Sequence, residues 1–254
     1  MGTWDMDFSG KVALVTGGSR GLGKTVAQAM AQKGAKVVIC GRKQENLNQA
    51  IEDFGKMGLE VMARPANMSK SSEVLALFDT INEKFGVLDI LVNNVGTNIL
   101  TPSVAEADEG LWDKLMETNL KSVFLATSQA VKLMKKRGGG KIVNISSVAA
   151  RKASRGMGIY CVAKAGVEML TKVLAVELAV DRINVNAVAP GVVKTKFSQP
   201  FWSNESLLKE LVNAIPMGRI AETGDVVGAV LFLASGLSDF ITGEVITVDG
   251  GSMA

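Results

Sequence analysis

The chain has 254 residues, 47% hydrophobic and 21% charged, which is enough for a large buried core in one domain. Its net charge of +3 excludes the strongly basic surface of a nucleic-acid-binding protein, and its two cysteines exclude a disulfide framework. Because there is no histidine, Ser-His-Asp triads and H-E-x-x-H zinc sites are also excluded, and no metal site is expected.

Short apolar runs alternate with helix-length segments along the chain. Strands are predicted at 11–16, 36–40, 59–64, 88–94, 141–146, 183–188 and 244–248. Helices are predicted between them, for example at 22–33, 44–57, 70–85, 108–136 and 158–179. Strands joined by crossover helices run parallel, so the pattern predicts an α/β fold, a single-domain Rossmann-like doubly wound sheet with helices on both faces. This domain spans 1–254, and the long interruption at 192–222 is expected to be a small lid insertion.

The turn after the first strand, TGGSRGLGKT (16–25), fits two phosphate-binding patterns. Read from its second glycine, it is G-x-x-x-x-G-K-T, the P-loop of nucleotide triphosphatases, in which Lys24 would bind a triphosphate. Read from its first residue, it is T-G-x-x-x-G-x-G, a turn that brings a dinucleotide phosphate to the start of a helix through Gly17, Gly21 and Gly23. The turn by itself does not decide between the two.

The end of the second predicted strand bears on the choice of nucleotide. In a dinucleotide fold, a residue about 20 positions beyond the glycines meets the adenosine ribose. Here the segment ICGRK carries Arg42 and Lys43 and no carboxylate, and Arg20 lies within the glycine turn. Because guanidinium groups match phosphate geometry, Arg20 and Arg42 favour NADP over NAD.

Tyr160 is the only tyrosine, and Lys164 lies four residues later in a predicted helix. Spacing of i, i+4 places both side chains on one helical face. Without histidine, Tyr160 is the natural acid/base, although a free phenol has a pKa near ~10. A nearby ammonium favours the phenolate, typically by about 1–3 pKa units, so we expect Lys164 to lower the pKa of Tyr160.

Several motifs occur in the order and spacing of the short-chain dehydrogenase/reductase family, which the chain resembles over residues 8–251. They are TGGSRGLG, NNVG, Asn119 in METNLKSVF, Ser147 in IVNISSVAA, YCVAK, PGVVKT and ITGEVITVDGG. GRKQENL and PGVVKTKFSQPFW further resemble the NADP-dependent carbonyl (retinal) reductase branch. Because the P-loop interpretation explains none of the downstream motifs, the dinucleotide interpretation is favoured, and Lys24 becomes a helix residue with no assigned role.

The resemblance implies a catalytic set of Asn119, Ser147, Tyr160 and Lys164. Ser147 would hydrogen-bond the substrate oxygen, and Tyr160 would transfer the proton. Lys164 would also bind the nicotinamide ribose, and Asn119 would order a water that connects Lys164 to solvent. The implied NADP-binding residues are Gly17, Ser19, Arg20, Gly21, Leu22, Gly23, Arg42, Asn67, Met68, Asn94, Gly96, Tyr160, Lys164, Pro190, Gly191, Val193 and Thr195.

The sequence departs from the family's pattern at two positions near the cofactor. Asn67-Met68 replaces an Asp followed by a small hydrophobic residue, where the adenine amino group is bound. Asn67 can still accept that hydrogen bond. Val95 replaces the usual Ala of NNAG. Both changes are expected to tune cofactor affinity rather than abolish binding.

The helix predicted at 158–179 is apolar nearly all round, so another element or another subunit must cover it. The family often forms tetramers through equivalent helices, and a homotetramer is therefore expected. No apolar run approaches the roughly 18 residues of a membrane span, and the N-terminus has no apolar signal core. A cytoplasmic protein without membrane or nucleic-acid partners is expected.

The substrate is expected to be a small hydrophobic ketone, aldehyde or diketone, because Phe197, Phe201 and Trp202 occur in the lid segment. A basic rim for an anion is the alternative interpretation of Arg151, Lys152, Arg155, Lys194 and Lys196. It would suit a carboxylate or the phosphates of an acyl carrier, although solvated loop charge is the simpler explanation. A 3-oxoacyl-thioester reductase, a P-loop nucleotide triphosphatase and a non-catalytic nucleotide sensor remain the other candidate functions.

Overall fold

The computed structural model describes residues 6–254, and seven parallel strands form its central sheet. Apolar runs that are buried on both faces produce these strands, as in the fully buried VALVT of the first one. The strands are Val12–Thr16 (β1), Lys36–Gly41 (β2), Val61–Pro65 (β3), Ile90–Asn93 (β4), Gly140–Ile145 (β5), Ile183–Pro190 (β6) and Val245–Val248 (β7). All seven predicted strands are confirmed, with ends that differ by a few residues.

The strand order is β3-β2-β1-β4-β5-β6-β7, so the chain winds outward from β1 in both directions. This order confirms the predicted doubly wound Rossmann-like fold. Between β1 and β4 the direction of winding reverses, and the loops that follow these two strands diverge. In open α/β sheets, ligands bind in the crevice that opens there, at the carboxyl ends of the strands.

Helices cover both faces of the sheet. They are Gly21–Gln32 (α1), Gln44–Lys56 (α2), Ser71–Phe85 (α3), Glu109–Met116 (α4), Ser122–Arg137 (α5), Gly158–Leu178 (α6), Gln199–Trp202 (α7), Glu205–Asn213 (α8) and Thr223–Ala234 (α9). Alternate residues of β1 point to opposite faces. Ala13 and Val15 pack in a core with α1, α2 and α9, whereas Val12 and Leu14 pack in a second core with α3, α5 and α6. Across residues 6–254 no helix is long and apolar enough to cross a membrane.

The helix predicted at 108–136 is interrupted by a wider π-helical turn, Glu117–Lys121. The side chain of Asn119 explains the interruption. Its Nδ2 donates to the carbonyl of Leu115, four residues earlier, at 2.8 Å, which is the acceptor an α-helical N–H at this position would use. A π-turn inserted in an α-helix frequently marks a functional position.

The predicted lid segment, 192–222, contains α7 and α8 and joins β6 to α9. Its two ends are bonded to each other at the base. Lys194 N donates to Ala221 O at 2.8 Å, and Ala221 N donates to Val192 O at 3.0 Å. The first and last residues of this segment therefore lie next to each other where it leaves the sheet. We call residues 192–222 the insert.

Candidate active site

A cavity of about 820 Å³ opens beyond the carboxyl ends of β1, β4, β5 and β6. It is lined by the glycine turn after β1, the ends of β2 and β4, the segment after β5 and the insert. Every residue of the implied catalytic and NADP-binding sets lines this cavity except Asn119. The crevice at the reversal of strand order is thus where the sequence motifs converge.

The glycine turn is shaped by backbone that other residues rarely adopt. Gly17 and Gly21 have φ angles of +66° and +53°. Gly23 is needed for a different reason, since a Cβ there would lie 2.4 Å from Asn94 Nδ2 and 2.5 Å from Gly17 O. Helix α1 therefore begins directly against the turn and directs its first N–H groups to the cavity, where they attract an anion.

Lys24 does not line the cavity. Its ammonium forms an ion pair with Asp53 on α2 and lies 5.9 Å from the centre of the Phe54 ring. The side chain thus joins α1 to α2 on the outside of the sheet. This placement speaks against the P-loop interpretation, in which Lys24 would have to reach the phosphates.

The end of β4 is tied to the glycine turn by Asn94. Its Nδ2 donates to the carbonyls of Thr16 and Gly17 at 2.9 and 3.3 Å, and its N–H donates to Thr16 Oγ1 at 2.9 Å. The neighbouring Gly96 needs to lack a side chain, because a Cβ there would lie 3.1 Å from Asn119 Oδ1 and 3.7 Å from Lys164 Nζ. Gly96 therefore lets the chain pass close to two residues of the implied catalytic set.

The adenine end of the cavity carries the residues that the sequence associated with NADP. Arg20 and Arg42 line it, and within residues 6–254 neither forms an ion pair. Asn67 Oδ1 already accepts a hydrogen bond from Ser69 N at 3.1 Å, but a second lone pair remains. Met68 is buried, with its sulfur 3.5 Å from that of Cys40. Asn67 therefore lines the cavity with a free lone pair on Oδ1 that could accept the predicted hydrogen bond from adenine.

Ser147, Tyr160 and Lys164 meet on the floor of the cavity. Ser147 follows β5, and its side chain lies close enough to the Tyr160 phenol to favour the ionised form of that phenol. Lys164 lies one turn after Tyr160 on α6, with Nζ 5.8 Å from the centre of the phenol ring. This Nζ donates to the carbonyl of Ile145, at the end of β5, at 2.7 Å. The i, i+4 spacing thus places both side chains on one face of α6, from which Lys164 reaches the end of β5.

Burial dominates the ionisation of this pair. It raises the pKa of Tyr160 to about 12, although the hydrogen bond from Ser147 acts in the opposite direction. Burial also lowers the pKa of Lys164 to about 8. In the cofactor-free protein the loss of hydration therefore dominates the pKa of Tyr160, and the predicted lowering of that pKa by Lys164 stays a prediction.

Asn119 is fully buried behind Gly96, and its side-chain amide bonds the loop after β4. Besides Leu115 O, its Nδ2 donates to Thr97 O at 2.9 Å, and its Oδ1 accepts from Thr97 N at 3.0 Å. The side chain thus holds the loop that contains Gly96 to the π-turn. The predicted role of Asn119 in ordering a water stays a prediction.

The segment after β6 completes the cavity wall near the glycine turn. It contributes Pro190, Gly191, Val193 and Thr195. A Cβ at Gly191 would lie 3.1 Å from the side chain of Asp249, so this segment packs closely on the chain that follows β7. The methyl group of Thr195 is 3.4 Å from where a Cβ on Gly21 would lie, so the two loops touch.

Two of the five candidates for a basic rim, Arg151 and Lys194, and one aromatic residue of the lid segment, Trp202, lie outside the cavity lining. Arg151 points away from the cavity, forms an ion pair with Glu168 at 2.9 Å and donates to Thr247 Oγ1 at 3.0 Å. Lys194 lies 3.8 Å from a carboxylate oxygen of Glu222. Trp202 anchors the insert, because its indole N–H bonds Thr195 O at 3.2 Å. Lys152, Arg155, Lys196, Phe197 and Phe201 do line the cavity.

Sequence reasoning missed two groups of residues around the site. The apolar wall formed by Leu207, Leu211 and Ile215 in the insert was not anticipated, although α8 has an amphipathic pattern that could have indicated it. A buried polar chain was also missed. In it, Asn93 Nδ2 donates to Asn144 Oδ1, and Asn144 Nδ2 donates to Thr171 Oγ1, both at 2.9 Å. This chain links β4, β5 and α6 beneath the catalytic floor.

A glycine turn at the reversal point of a doubly wound sheet, with a buried tyrosine and lysine below it, defines a dinucleotide-binding protein of the Rossmann class. A family model described as enoyl-(acyl carrier protein) reductase matches residues 17–253. Human dehydrogenase/reductase SDR family member 4 is 38% identical over 245 residues, which is 96% of this chain and 88% of that protein. The chain belongs to the short-chain dehydrogenase/reductase family of oxidoreductases, as its motifs predicted.

Solved structures agree with this assignment. A putative gluconate dehydrogenase from Agrobacterium tumefaciens has a TM-score of 0.95 and 35% identity, and the match covers 98% of both chains. A gluconate 5-dehydrogenase from Burkholderia cenocepacia, in complex with NADP and tartrate, has a TM-score of 0.93 and 33% identity, over 97% of this chain and 96% of that one.

Proposed function

We propose that the protein reduces a ketone or aldehyde carbonyl with NADPH, or oxidises the corresponding alcohol with NADP. One observation carries this proposal. The side chains of Ser147 and Tyr160 line the same cavity close to each other, beside a buried lysine. Two hydroxyls that meet in this way can both bind one substrate oxygen, which is the atom that becomes more negative when a carbonyl is reduced.

The roles of the side chains follow from their surroundings. NADPH, when bound, supplies the hydride. Because burial raises the pKa of Tyr160 to about 12, the phenol keeps its proton at neutral pH and can donate it to the carbonyl oxygen. Ser147 stabilises the charge that develops on the same oxygen. Lys164 stabilises the tyrosinate that remains after proton transfer, since its Nζ lies 5.8 Å from the ring centre.

NADP as the cofactor is supported by the charge and shape of the cavity. The side-chain-free turn at Gly17, Gly21 and Gly23 leaves room for a pyrophosphate at the start of α1. Arg20 and Arg42 offer guanidinium groups to a 2′-phosphate. The similar gluconate 5-dehydrogenase structure contains NADP. Val193 and Thr195 would hold the nicotinamide carboxamide, and Lys164 its ribose.

Two further proposals concern assembly and location. Helix α6 exposes Val162, Met169, Val173 and Val176, which lie along one side of the helix at spacings of 7, 4 and 3 residues. Burial of this apolar side in a homotetramer would remove it from water. The cytoplasm as the site of action stays a prediction.

A reductase of 3-oxoacyl thioesters is the second candidate function. It would use the same Ser147 and Tyr160, and the description of the matching family model, enoyl-(acyl carrier protein) reductase, names a substrate on an acyl carrier. Acetoacetyl-CoA and crotonyl-CoA distinguish the possibilities, because the first offers a ketone and the second offers a carbon–carbon double bond.

The proposed function is tested with a tyrosine variant and a panel of carbonyl compounds. Tyr160→Phe keeps the ring but removes the transferable proton, so kcat should fall by about a hundredfold or more. Cys161→Ser, one residue away and outside the cavity lining, is the matched control and should retain activity. NADPH binding, measured by fluorescence, should change less than threefold in both variants. Retention of most activity by Tyr160→Phe would mean that another group donates the proton.

A further inference from the structure

All the ionisable lining residues that carry a charge at neutral pH are basic. Among the described residues that line it there is no aspartate or glutamate. Seven lining residues are basic, and they are Arg20, Arg42, Lys43, Lys152, Arg155, Lys164 and Lys196. A cleft lined by one sign of charge concentrates ligands of the opposite sign. The whole chain has a net charge of only +3, so the cavity does not simply reflect the composition.

The basic residues form two groups that the fold keeps apart. Arg20, Arg42 and Lys43 follow β1 and β2, on the side of the sheet proposed to hold the adenosine phosphate. Lys152 and Arg155 lie between Ser147 and Tyr160, after β5, and Lys196 lies in the insert after β6. We call Lys152, Arg155 and Lys196 the rim cluster. Since Lys152 and Arg155 belong to the segment between the two catalytic hydroxyls, the NADP phosphates do not account for these two residues.

The rim cluster has no partner of opposite charge among the described residues. None of its three members forms an ion pair within residues 6–254, and all three line the cavity. Their sequence neighbours Arg151 and Lys194 lie outside the lining and pair with Glu168 and Glu222. The exposed Lys209 of the insert is also unpaired within the described chain, so it is their place in the cavity lining that distinguishes the members of the rim cluster.

The loop that carries Arg155 is held in place. Gly156 O accepts a hydrogen bond from Thr101 N at 2.9 Å, which fixes the residue that follows Arg155. The lining also contains apolar side chains, among them Met157, Phe197 and Phe201. Phe197 packs against Tyr160 with ring centres 6.1 Å apart, so apolar surface adjoins the catalytic floor. The cavity therefore combines two hydroxyls, apolar surface beside them and positive charge.

We propose that the substrate is a carbonyl compound with an apolar body and an anionic group at its far end, bound by Lys152, Arg155 and Lys196. This inference rests on the proposed carbonyl reduction and adds to it the class of substrate. A carboxylate on the substrate itself is the simplest such group, and the phosphates of an acyl carrier have the same chemistry. Arg155, with its planar fork of donors, suits both anions.

The experiment compares substrates that differ only in charge. A series of aryl keto acids of increasing chain length, beginning with 4-oxo-4-phenylbutanoate, is assayed beside the matching methyl esters. Wild-type kcat/KM should be about tenfold higher for at least one acid than for its ester. The KM of that acid should rise between about 0.05 and 0.5 M salt while that of the ester stays constant, because exposed charges are screened.

Substitutions in the rim cluster test whether its three residues cause the preference for the acid over its ester. Arg155→Met, Lys152→Met and Lys196→Met should each reduce the acid-to-ester ratio by about twofold, and the triple variant should bring it near one. Lys209→Met is the matched control, because this exposed lysine belongs to the same insert but lies outside the cavity lining. An unchanged NADPH affinity in every variant shows that the fold and the cofactor end are intact.

The outcomes separate the two proposals. If no acid exceeds its ester threefold and the rim variants act like Lys209→Met, the inference is overturned while carbonyl reduction stands. If no carbonyl compound of any kind is reduced, the proposed function itself fails. A third outcome uses two thioesters, because acetoacetyl-N-acetylcysteamine lacks the phosphates of acetoacetyl-CoA. If acetoacetyl-CoA is reduced far better and the triple variant loses that advantage, the result supports the anion site and assigns it to an acyl carrier's phosphates.

Discussion

Tyr160 is held as a neutral phenol by its surroundings rather than activated by them. Burial raises its pKa to about 12, and its partner Lys164 has a pKa lowered to about 8 by the same loss of water. A protonated phenol is the form needed to reduce a carbonyl. Oxidation of an alcohol needs the phenolate, and the positive ring of the oxidised nicotinamide would favour it. In the proposed mechanism, the oxidation state of the bound cofactor would therefore decide whether Tyr160 donates or accepts the proton.

A direct titration tests this view, because Tyr160 is the only tyrosine in the chain. Absorbance at the tyrosinate wavelength therefore reports one residue. Since burial raises the pKa to about 12, the cofactor-free protein should show no tyrosinate step below about pH 10. Saturation with NADP should move the step to lower pH, and Tyr160→Phe should show none. A step between pH 7 and 9 without cofactor would contradict the burial argument.

Arg42 offers a second test, of cofactor choice. Hydrogen bonds to a charged group contribute roughly 1.5–3 kcal/mol, but Arg42 is exposed, so the lower end of this range applies. Arg42→Asp should weaken NADPH binding about tenfold and bring the kcat/KM values for NADH and NADPH closer together. Arg64→Asp, on the neighbouring strand and outside the cavity lining, should change neither. An unaltered preference in Arg42→Asp would place the 2′-phosphate elsewhere.

At the scale of elements, the strands and the glycine turn could be predicted because their causes are local. A strand buried on both faces needs a continuous apolar run, and β1 and β6 provide it. The turn needs residues that tolerate positive φ, and Gly17 and Gly21 occur in register with the first strand. The spacing of Tyr160 and Lys164 likewise gives their common face without knowledge of the rest of the fold.

Other elements depend on partners distant in the chain, and these could not be predicted. Asn119, in the π-turn, is held by a hydrogen bond from Thr97, 22 residues earlier. Arg151 has the same sequence character as Arg155, yet only the first meets Glu168, 17 residues later. Trp202 is predicted to contact the substrate, but its indole N–H donates to the backbone carbonyl of Thr195 in the insert. In each case the side chain's partner, not its type, decides its role.

At the scale of the whole molecule, the most exposed apolar side chains of α6 would be stabilised by burial against another subunit. Val176 is 81% exposed and Met169 is 59% exposed, and Phe124 on α5 is 54% exposed. Each fully buried side chain of this kind stabilises a structure by about 1.5–3 kcal/mol, and the gain multiplies across the copies of a symmetric assembly. A subunit interface built on this surface is therefore expected.

Light scattering tests the expected assembly. The wild-type mass should be about four times the chain mass of 26.8 kDa. Met169→Glu and Val173→Glu would each bury charge at the interface, so they should shift the mass toward dimer or monomer. Met57→Glu, on an exposed apolar residue at the end of α2, should leave it unchanged. A wild-type mass of one chain would contradict the homotetramer.

The hydrogen bonds between the two ends of the insert allow its interior to vary without disturbing the sheet. Because residues 192–194 and 221 already hold each other, the 26 residues between them can change in length or composition while the strands below keep their register. Thr195, the first of these residues, is a proposed nicotinamide contact and would have to be kept. Replacing residues 196–220 by the equivalent segment of a relative should therefore change the substrate preference while the proposed cofactor contacts stay in place.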